Sequence, residues 1–187
     1  MPMNIELKTP SVPAINSLCD LIKKHNRQHI TVVGIRNDHQ ETLKQIDRKL
    51  MTFMRDGDFF FYLVAMIFGL LPYVYIDDYT MQVPLWTEEL EQWKLREWGN
   101  TWKIRLFFKL LKVGNLLMGL MAYHLRKRGI LTFFWVCNYS KEFDRAIRYG
   151  ASGIMTDDPL LLDQYLEEKK MNSSDGEKAE PKQMKEE

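Results

Sequence analysis

The sequence predicts an α/β fold with parallel strands, and a strand, a helix and a second strand near the C-terminus support this prediction. Residues 131–137 form a short run of apolar, aromatic and β-branched side chains, which is typical of a strand buried on both faces. A polar helix follows, and a second short strand is predicted at residues 153–156. Two strands joined by a helix in this way are expected to be parallel, with a right-handed connection.

The helices of this C-terminal unit have recognisable start and stop signals. Ser140 is a residue type that caps helices, and Glu142 lies in the first turn, where the helix dipole favours negative charge. Gly150 is expected to end this helix. Asp158 followed by Pro159 predicts the start of a last helix, because a carboxylate caps well and proline suits the first turn.

The N-terminal part of the chain repeats the alternation of strands and helices. Residues 3–8 alternate between apolar and polar side chains, which predicts a strand with Glu6 and Lys8 on the same face. Taken alone, this pattern favours an ordinary exposed strand with a surface ion pair. Helices are then predicted at residues 10–26 and 38–48, and strands at 30–35 and 50–54.

Residues 59–76 interrupt this alternation because they are apolar and carry no charge. Their length is at the short end of the roughly 17–25 residues that a membrane-spanning helix needs. Three interpretations remain open for this segment: a transmembrane helix, a helix that dips into a membrane, and a buried core helix. A core helix of an α/β barrel is expected to be amphipathic, and this segment is not.

Residues 98–141 contain no aspartate or glutamate, while lysines and arginines are interleaved there with tryptophan, phenylalanine and leucine. Such a basic helix is typical of a membrane surface when an apolar segment lies nearby. The alternative is a solvated basic face on a barrel helix. No nucleic-acid-binding motif accompanies the charge, so we do not expect a nucleic-acid partner.

The overall composition fits one folded domain followed by a polar tail. The chain has 187 residues and a formal net charge of +1, so its total charge does not indicate an acidic partner. Cys19 and Cys137 fall within predicted elements, and we expect them to be buried, unreactive thiols. Residues 1–166 are predicted to form the folded part, and residues 167–187 a disordered tail.

Two blocks of residues resemble the C-terminal signature of the glycerophosphodiester phosphodiesterase family. They are residues 135–138 (Trp-Val-Cys-Asn) and residues 150–159 (Gly-Ala-Ser-Gly-Ile-Met-Thr-Asp-Asp-Pro). In that family a strand ending in Trp-x-x-Asn precedes a Gly-x-x-Gly-Ile-x-Thr-Asp-x-Pro strand. The family fold is a (β/α)₈ barrel, so the resemblance implies an α/β fold that is a partial TIM barrel of the phosphatidylinositol-phosphodiesterase-like type.

The resemblance also implies roles for three residues. Glu-x-Lys at residues 6–8 is similar to a family block in which the glutamate binds a divalent metal and the lysine faces the substrate phosphate. Glu6 would therefore bind Mg²⁺ or Ca²⁺, and Lys8 would contact the phosphate. Trp135, at the end of its predicted strand, would form a wall of the substrate site.

Other family motifs do not occur in this sequence. The family begins with a His-Arg-Gly strand, a Glu-x-Asp strand and a strand ending in His-Asp, and none of these is present. We therefore expect an N-terminally truncated form that lacks the first three strands. Since the family's acid–base histidines belong to those strands, no catalytic residue is assigned.

The membrane-associated features resemble the animal branch of the family, which acts on lysophospholipids. This implies a lysophospholipase D that releases choline or ethanolamine and leaves lysophosphatidic acid. Its expected partners are a lysophospholipid and a membrane, and its expected location is an intracellular membrane (endoplasmic reticulum or perinuclear) and the cytoplasm. The alternative is a catalytically inactive, membrane-associated fragment that acts through lipid or protein binding.

Overall fold

The computed structural model describes residues 2–35 and 39–177, which form an α/β structure with only parallel strand pairs among them. The strands are Met3–Leu7 (β1), Thr31–Ile35 (β2), Met51–Thr52 (β3), Thr80–Pro84 (β4), Leu131–Trp135 (β5) and Gly153–Ile154 (β6). The helices are Val12–Lys24 (α1), His39–Ile46 (α2), Asp56–Ile67 (α3), Glu88–Trp98 (α4), Trp102–Lys127 (α5), Ser140–Arg148 (α6) and Pro159–Glu177 (α7).

The strands lie side by side in chain order, as in an α/β barrel. β1, β2 and β3 form one three-stranded sheet, and β4, β5 and β6 form another. A parallel bridge between Phe53 and Thr80 joins the two sheets into one curved layer. β4 was not among the predicted strands, so the described residues form six strands where the sequence predicts five.

The outward face of the sheet is buried beneath the helices. In the first half, Val33 and Ile35 of β2 pack with α1 and α2 in a cluster of seven buried residues. In the second half, a cluster of twenty buried residues joins β4 and β5 to α3, α5 and α6. Phe134 of β5 and Phe143 of α6 are fully buried there. This packing follows from strand alternation, which directs every second side chain toward the helices.

The inward face of the sheet is concave, and side chains from distant strands meet on it. The Asn4 Nδ2 atom of β1 donates a hydrogen bond to Gln82 Oε1 of β4 (3.2 Å), and Gln82 Nε2 donates one to Asn4 Oδ1 (2.9 Å). The ring of Phe53 lies directly over Gly34, where a Cβ atom would be only 1.7 Å from the ring. Phe133 covers Gly153 in the same way. The Asn4–Gln82 hydrogen bonds show that β1 faces β4 across the concave side.

The apolar segment at residues 59–76 is not one continuous helix. α3 ends at Ile67, and a separate 3₁₀ turn follows at Leu71–Tyr73. Phe59 and Leu63 are buried in the core, while Phe61 and Phe68 are more than half exposed. Twelve helical residues extend about 18 Å, which is shorter than the roughly 30 Å of a bilayer's hydrocarbon core. α3 therefore cannot cross a bilayer by itself, and it combines a core face with an exposed apolar face.

Two other boundaries differ from the sequence analysis. The last helix continues to Glu177, beyond residue 166, where the folded part is predicted to end. Lys169 of this helix and Asp144 of α6 form an ion pair at 2.7 Å. Tyr139 is the N-cap residue of α6, and Ser140 is the first residue of the helix. The Glu142 carboxylate accepts hydrogen bonds from the backbone N–H groups of Asn138 and Tyr139. Residues 36–38 and 178–187 lie outside the described residues.

Candidate functional site

Glu6 and Lys8 are brought together at the end of β1. Glu6 pairs with Gly34 of β2 in the sheet register and shares the concave face with Asn4, two residues earlier. Lys8 Nζ donates a hydrogen bond to Glu6 Oε2 at 2.5 Å. Both side chains are exposed to solvent, with 68% of the lysine and 40% of the glutamate side chain accessible. An acidic and a basic group are thus available to a ligand at this end of the sheet.

Trp135 lies at the corresponding end of β5. It pairs with Pro84 of β4, and its carbonyl oxygen accepts a hydrogen bond from the Leu85 backbone N–H at 2.9 Å. Phe133, two residues earlier, faces the concave side over Gly153, so alternation places Trp135 on that side as well. The tryptophan is partly buried and offers an apolar surface to whatever occupies the concave side.

The hydrogen-bonded pair of Asn4 and Gln82 shows where the end of β1 lies relative to the end of β5. Gln82 pairs with Phe133 in the register, so the Asn4–Gln82 contact lies one layer below both Glu6 and Trp135. Asn4 Nδ2 also lies 4.0 Å from the sulfur of Met155, which immediately follows β6. Glu6, Lys8 and Trp135 are therefore at the carboxyl ends of parallel strands, on the same concave face. In α/β barrels the active site lies at the carboxyl ends of the strands.

Within the described residues, no hydrogen bond or ring contact joins Trp135 to Glu6 or Lys8. The structure places the three predicted site residues at one end of the sheet, but only Glu6 and Lys8 touch. A ligand between the two strands would contact both groups.

A hydrogen-bonded clip explains why the two C-terminal blocks occur at their fixed spacing. Asn138 Oδ1 accepts hydrogen bonds from the Asp157 backbone N–H (2.9 Å) and the Thr156 hydroxyl (3.1 Å). Asn138 Nδ2 in turn donates to the Asp157 carboxylate at 2.9 Å. Asp158 caps α7 by accepting a hydrogen bond from the Leu161 N–H. The Asn of the first block and the Thr-Asp of the second therefore fix the loop after β5 to the loop after β6.

Comparison with known proteins agrees with this arrangement. A profile of the glycerophosphoryl diester phosphodiesterase family matches residues 132–159, the segment that contains the clip. Human Lysophospholipase D GDPD1 is 31% identical over 172 residues, which is 88% of this chain and 52% of that protein. Human Lysophospholipase D GDPD3 is 23% identical over 170 residues, 89% of this chain and 52% of that protein.

The chain belongs to the glycerophosphodiester phosphodiesterase family. It spans about half the length of the curated relatives it matches. A solved glycerophosphodiester phosphodiesterase from Parabacteroides distasonis has a similar fold, with a TM-score of 0.52 and 14% identity over 90% of this chain and 58% of that one. The predicted resemblance and the α/β partial-barrel class are thereby confirmed.

The metal that the family resemblance implies is not matched by a complete ligand set in the described part of this phosphodiesterase-family chain. No group of three or more histidine, cysteine, aspartate or glutamate residues lies together within residues 2–35 and 39–177. Hard divalent cations need several oxygen ligands. Glu6 offers one carboxylate, and Lys8 already occupies one of its oxygens. The residues present do not by themselves form a metal site.

A polar network around Asp78 was not predicted from the sequence. Asp78, just before β4, accepts hydrogen bonds at its Oδ1 atom from Thr52 of β3 (2.6 Å) and Gln40 of α2 (2.9 Å). Lys44 of α2 lies 3.3 Å from the same carboxylate oxygen. Burial lowers the pKa of Lys44, but the charges of Asp78 and Asp77 outweigh burial and raise it above its usual value. This network joins the two halves of the sheet.

The Asn4–Gln82 pair was also not predicted, although the sequence contains partial signals for it. Asn4 shares its strand face with Glu6, which is visible from the alternation of residues 3–8. Gln82 alternates with the apolar residues Met81 and Val83, a pattern that predicts a strand. Their mutual contact depends on the curvature of the sheet, and no local pattern in the sequence reports that curvature.

Proposed function

We propose that this chain takes part in the hydrolysis of lysophospholipid phosphodiesters, as a lysophospholipase D that releases choline or ethanolamine and leaves lysophosphatidic acid. The observation that carries the proposal is the Glu6–Lys8 pair on the concave face, at the carboxyl end of its strand, in a chain of this family. The names of the relatives support the choice of substrate, because GDPD1 and GDPD3 are both called lysophospholipase D.

The three residues would divide the work of holding the substrate. The Lys8 ammonium is exposed and positively charged, so it suits the phosphate of a phosphodiester. The indole of Trp135 would lie against an apolar or cationic part of the lipid; a choline group is attracted to the face of an aromatic ring. Glu6 would hold Lys8 in place and remain available as a ligand.

Mg²⁺ or Ca²⁺ is part of this proposal, with Glu6 as one ligand. Such an ion would polarise the phosphodiester and stabilise the charge that develops on it. Such an ion needs several oxygen ligands, and Glu6 would be one of them. We also propose an intracellular membrane (endoplasmic reticulum or perinuclear) and the cytoplasm as the location. We propose no nucleic-acid partner.

Choline release from lysophosphatidylcholine tests the proposal. The purified chain would be assayed with Mg²⁺ or Ca²⁺ and with a chelator, and lysophosphatidylethanolamine would serve as the second substrate. We expect turnover that requires the cation. Cation-independent turnover would contradict the proposed metal, and hydrolysis of glycerophosphocholine in preference to lysophospholipids would contradict the proposed substrate class.

A second candidate function is a catalytically inactive, membrane-associated chain that acts through lipid or protein binding. The observation that favours it is the incomplete ligand set: within the described residues, Glu6 does not belong to a group of three or more histidine, cysteine, aspartate or glutamate side chains. A folded chain that binds lipid vesicles but shows no turnover under any cation condition would support this candidate over the first.

A further inference from the structure

Helix α5 has an apolar strip on the side opposite to the protein core. The strip residues are all exposed and recur at intervals of three or four, which places them on one side of the helix. They are Trp102, Leu106, Leu110, Val113, Leu116, Leu120 and Tyr123. The core-facing side of the same helix is buried and includes Phe108, Leu111, Met118, Met121 and Leu125. The helix is thus apolar on two opposite sides, and only one of them is covered.

The exposed strip is large in comparison with isolated surface hydrophobics. Leu116 is 79% exposed and Trp102 is 71% exposed. Helix α3 extends the surface, because it packs directly on α5: a Cβ atom at Gly114 would lie 3.1 Å from Leu63, and the rings of Phe60 and Phe107 are 5.6 Å apart. Contiguous apolar surface of this kind marks an interaction site in soluble domains.

The charges around the strip indicate what covers it. Lys103, Arg105, Lys109 and Lys112 are exposed on the N-terminal half of α5. At about 100° of rotation per residue, Lys103 lies at one edge of the strip, and Arg105 and Lys112 lie at the other. Lys109 lies within the strip, and its long side chain can extend from there to the lipid phosphates. None of these four residues forms an ion pair with any residue that the structure describes. An apolar strip with uncompensated positive charge along it is complementary to a surface that is apolar inside and anionic outside.

The orientation of the helix follows from its packing. α5 is the one described helix that is long and apolar enough to cross a bilayer by length and composition. Its inner side, however, is packed into the core against β5, so lipid cannot surround it. Because one side of α5 packs against the sheet, we infer that the helix lies in the plane of the membrane, with its outer side in the interfacial region.

We propose that α5 lies in the plane of an anionic membrane surface, with its apolar strip among the acyl chains and its basic residues against lipid phosphates. This deepens the proposed function, since it names the surface at which the site would meet a lysophospholipid. It makes α5, with α3 beside it, the main membrane contact; the sequence alone offers both residues 59–76 and the basic residues 98–141 as membrane contacts, each with an alternative.

Vesicle binding tests the proposal without any need for turnover. The full chain would be floated with vesicles of phosphatidylcholine alone and of phosphatidylcholine mixed with phosphatidylserine. We expect clearly tighter binding to the anionic vesicles. Lys103→Gln with Lys109→Gln should weaken that binding by about fivefold for each lysine removed. Each basic residue near an anionic membrane surface adds a binding free energy that corresponds to about this factor in affinity. Lys24→Gln with Lys49→Gln, two exposed lysines away from α5, is the matched control.

A second pair of variants tests whether the apolar strip of α5 lies among the acyl chains. Leu116→Gln with Leu120→Gln should weaken binding to both kinds of vesicle by at least about tenfold, because two side chains lose their place in the acyl region. Leu21→Gln with Leu160→Gln changes two equally exposed leucines on α1 and α7, and should leave binding unchanged. Equal losses in the α5 variants and their controls would overturn the proposal, as would equal binding to both lipid compositions.

A label on the strip separates a membrane from a second copy of the chain. Cys19 and Cys137 are buried, and burial raises the pKa of the Cys137 thiol to about 12, so an environment-sensitive fluorophore should react at an introduced cysteine. On Leu116→Cys, we expect a blue shift only when anionic vesicles are added, and on Leu160→Cys no shift. A shift at position 116 that rises with protein concentration alone would indicate self-association through α5 and overturn the membrane proposal. Absence of vesicle binding would overturn the membrane proposal, while choline release would still test the proposed function independently.

Discussion

The two halves of the sheet differ in how much packing supports them. The half formed by β4, β5 and β6 shares a cluster of twenty buried residues with α3, α5 and α6. The half formed by β1, β2 and β3 has a cluster of seven, against α1 and α2. β1 is also an edge strand in the described part of the chain, since it pairs only with β2.

This difference matters because the candidate site is divided between the halves. Trp135 and the Asn138 clip belong to the well-packed half, where the family signature lies. Glu6 and Lys8 belong to the edge strand of the small half. Regions with few buried apolar contacts open more readily than a large core does. We therefore expect the tryptophan wall to be rigid and the Glu6–Lys8 side to be the mobile part of the site.

The largest stability effect is expected in the large core. Phe134→Ala removes a fully buried ring and should lower the free energy of unfolding by about 3–5 kcal/mol. Because this core joins most of the helices, hydrogen exchange should accelerate in both halves of the sheet. Denaturant titration together with hydrogen exchange measures this; faster exchange confined to β5 would show that the large core does not support the rest of the chain.

A substitution in the small core should have a local effect. Ile15→Ala removes a fully buried side chain from α1 and should cost about 2–5 kcal/mol in the stability of its own half. Exchange should accelerate in β1 and β2 while β4 and β5 keep their protection. Equal loss of protection in all strands would mean that the two halves unfold as one unit.

The Asp78 network, which joins the two halves of the sheet, should contribute less to the free energy of unfolding than either core does. Asp78→Asn removes the charge that binds Thr52, Gln40 and Lys44, at an expected cost of about 1.5–3 kcal/mol. The folded-state pKa of Lys44 is raised, so its contribution is complete below the ordinary lysine pKa of about 10.4 and is lost as the pH rises through the higher folded value. The penalty of Asp78→Asn should thus be constant from pH 6 to pH 9 and shrink at more alkaline pH. A penalty that already shrinks near neutrality would exclude the Lys44 pair as its source.

The clip of the signature should have the smallest effect on global stability. Asn138→Ala removes three hydrogen bonds from a partly buried position, at an expected cost of about 1–2 kcal/mol. A double-mutant cycle with Asp157→Ala should show that much of this cost is shared by the pair. Additive costs in that cycle would mean that Asn138 and Asp157 act independently.

Much of the fold, and part of the site, could be predicted from the sequence because the signals are local. The strand at residues 3–8, the helix stop at Gly150 and the cap at Asp158 each depend on a few neighbouring residues, and the structure confirms them. β4 was missed although Gln82 alternates with Met81 and Val83, because this alternation covers only residues 81–83 before Pro84 interrupts it. For α5, composition shows that the helix is apolar but not which side the core covers.

The site itself was predictable only as far as the family resemblance reaches. Glu6, Lys8 and Trp135 could be named from two motifs, yet their common face follows from the register of six strands. The Asn4–Gln82 pair joins residues 78 positions apart and could be seen only in the folded chain.

The most direct test of the central claim is choline release from lysophosphatidylcholine by the Glu6→Gln variant. Glu167→Gln is the matched control, because Glu167 forms an equally exposed pair with Lys170, on α7. We predict that Glu6→Gln loses at least about 10–100-fold of the cation-dependent turnover, as changes around metal ligands do, while Glu167→Gln retains it. Equal turnover in the two variants would remove Glu6 from the site, and a folded chain with no turnover at all would favour the inactive lipid-binding candidate.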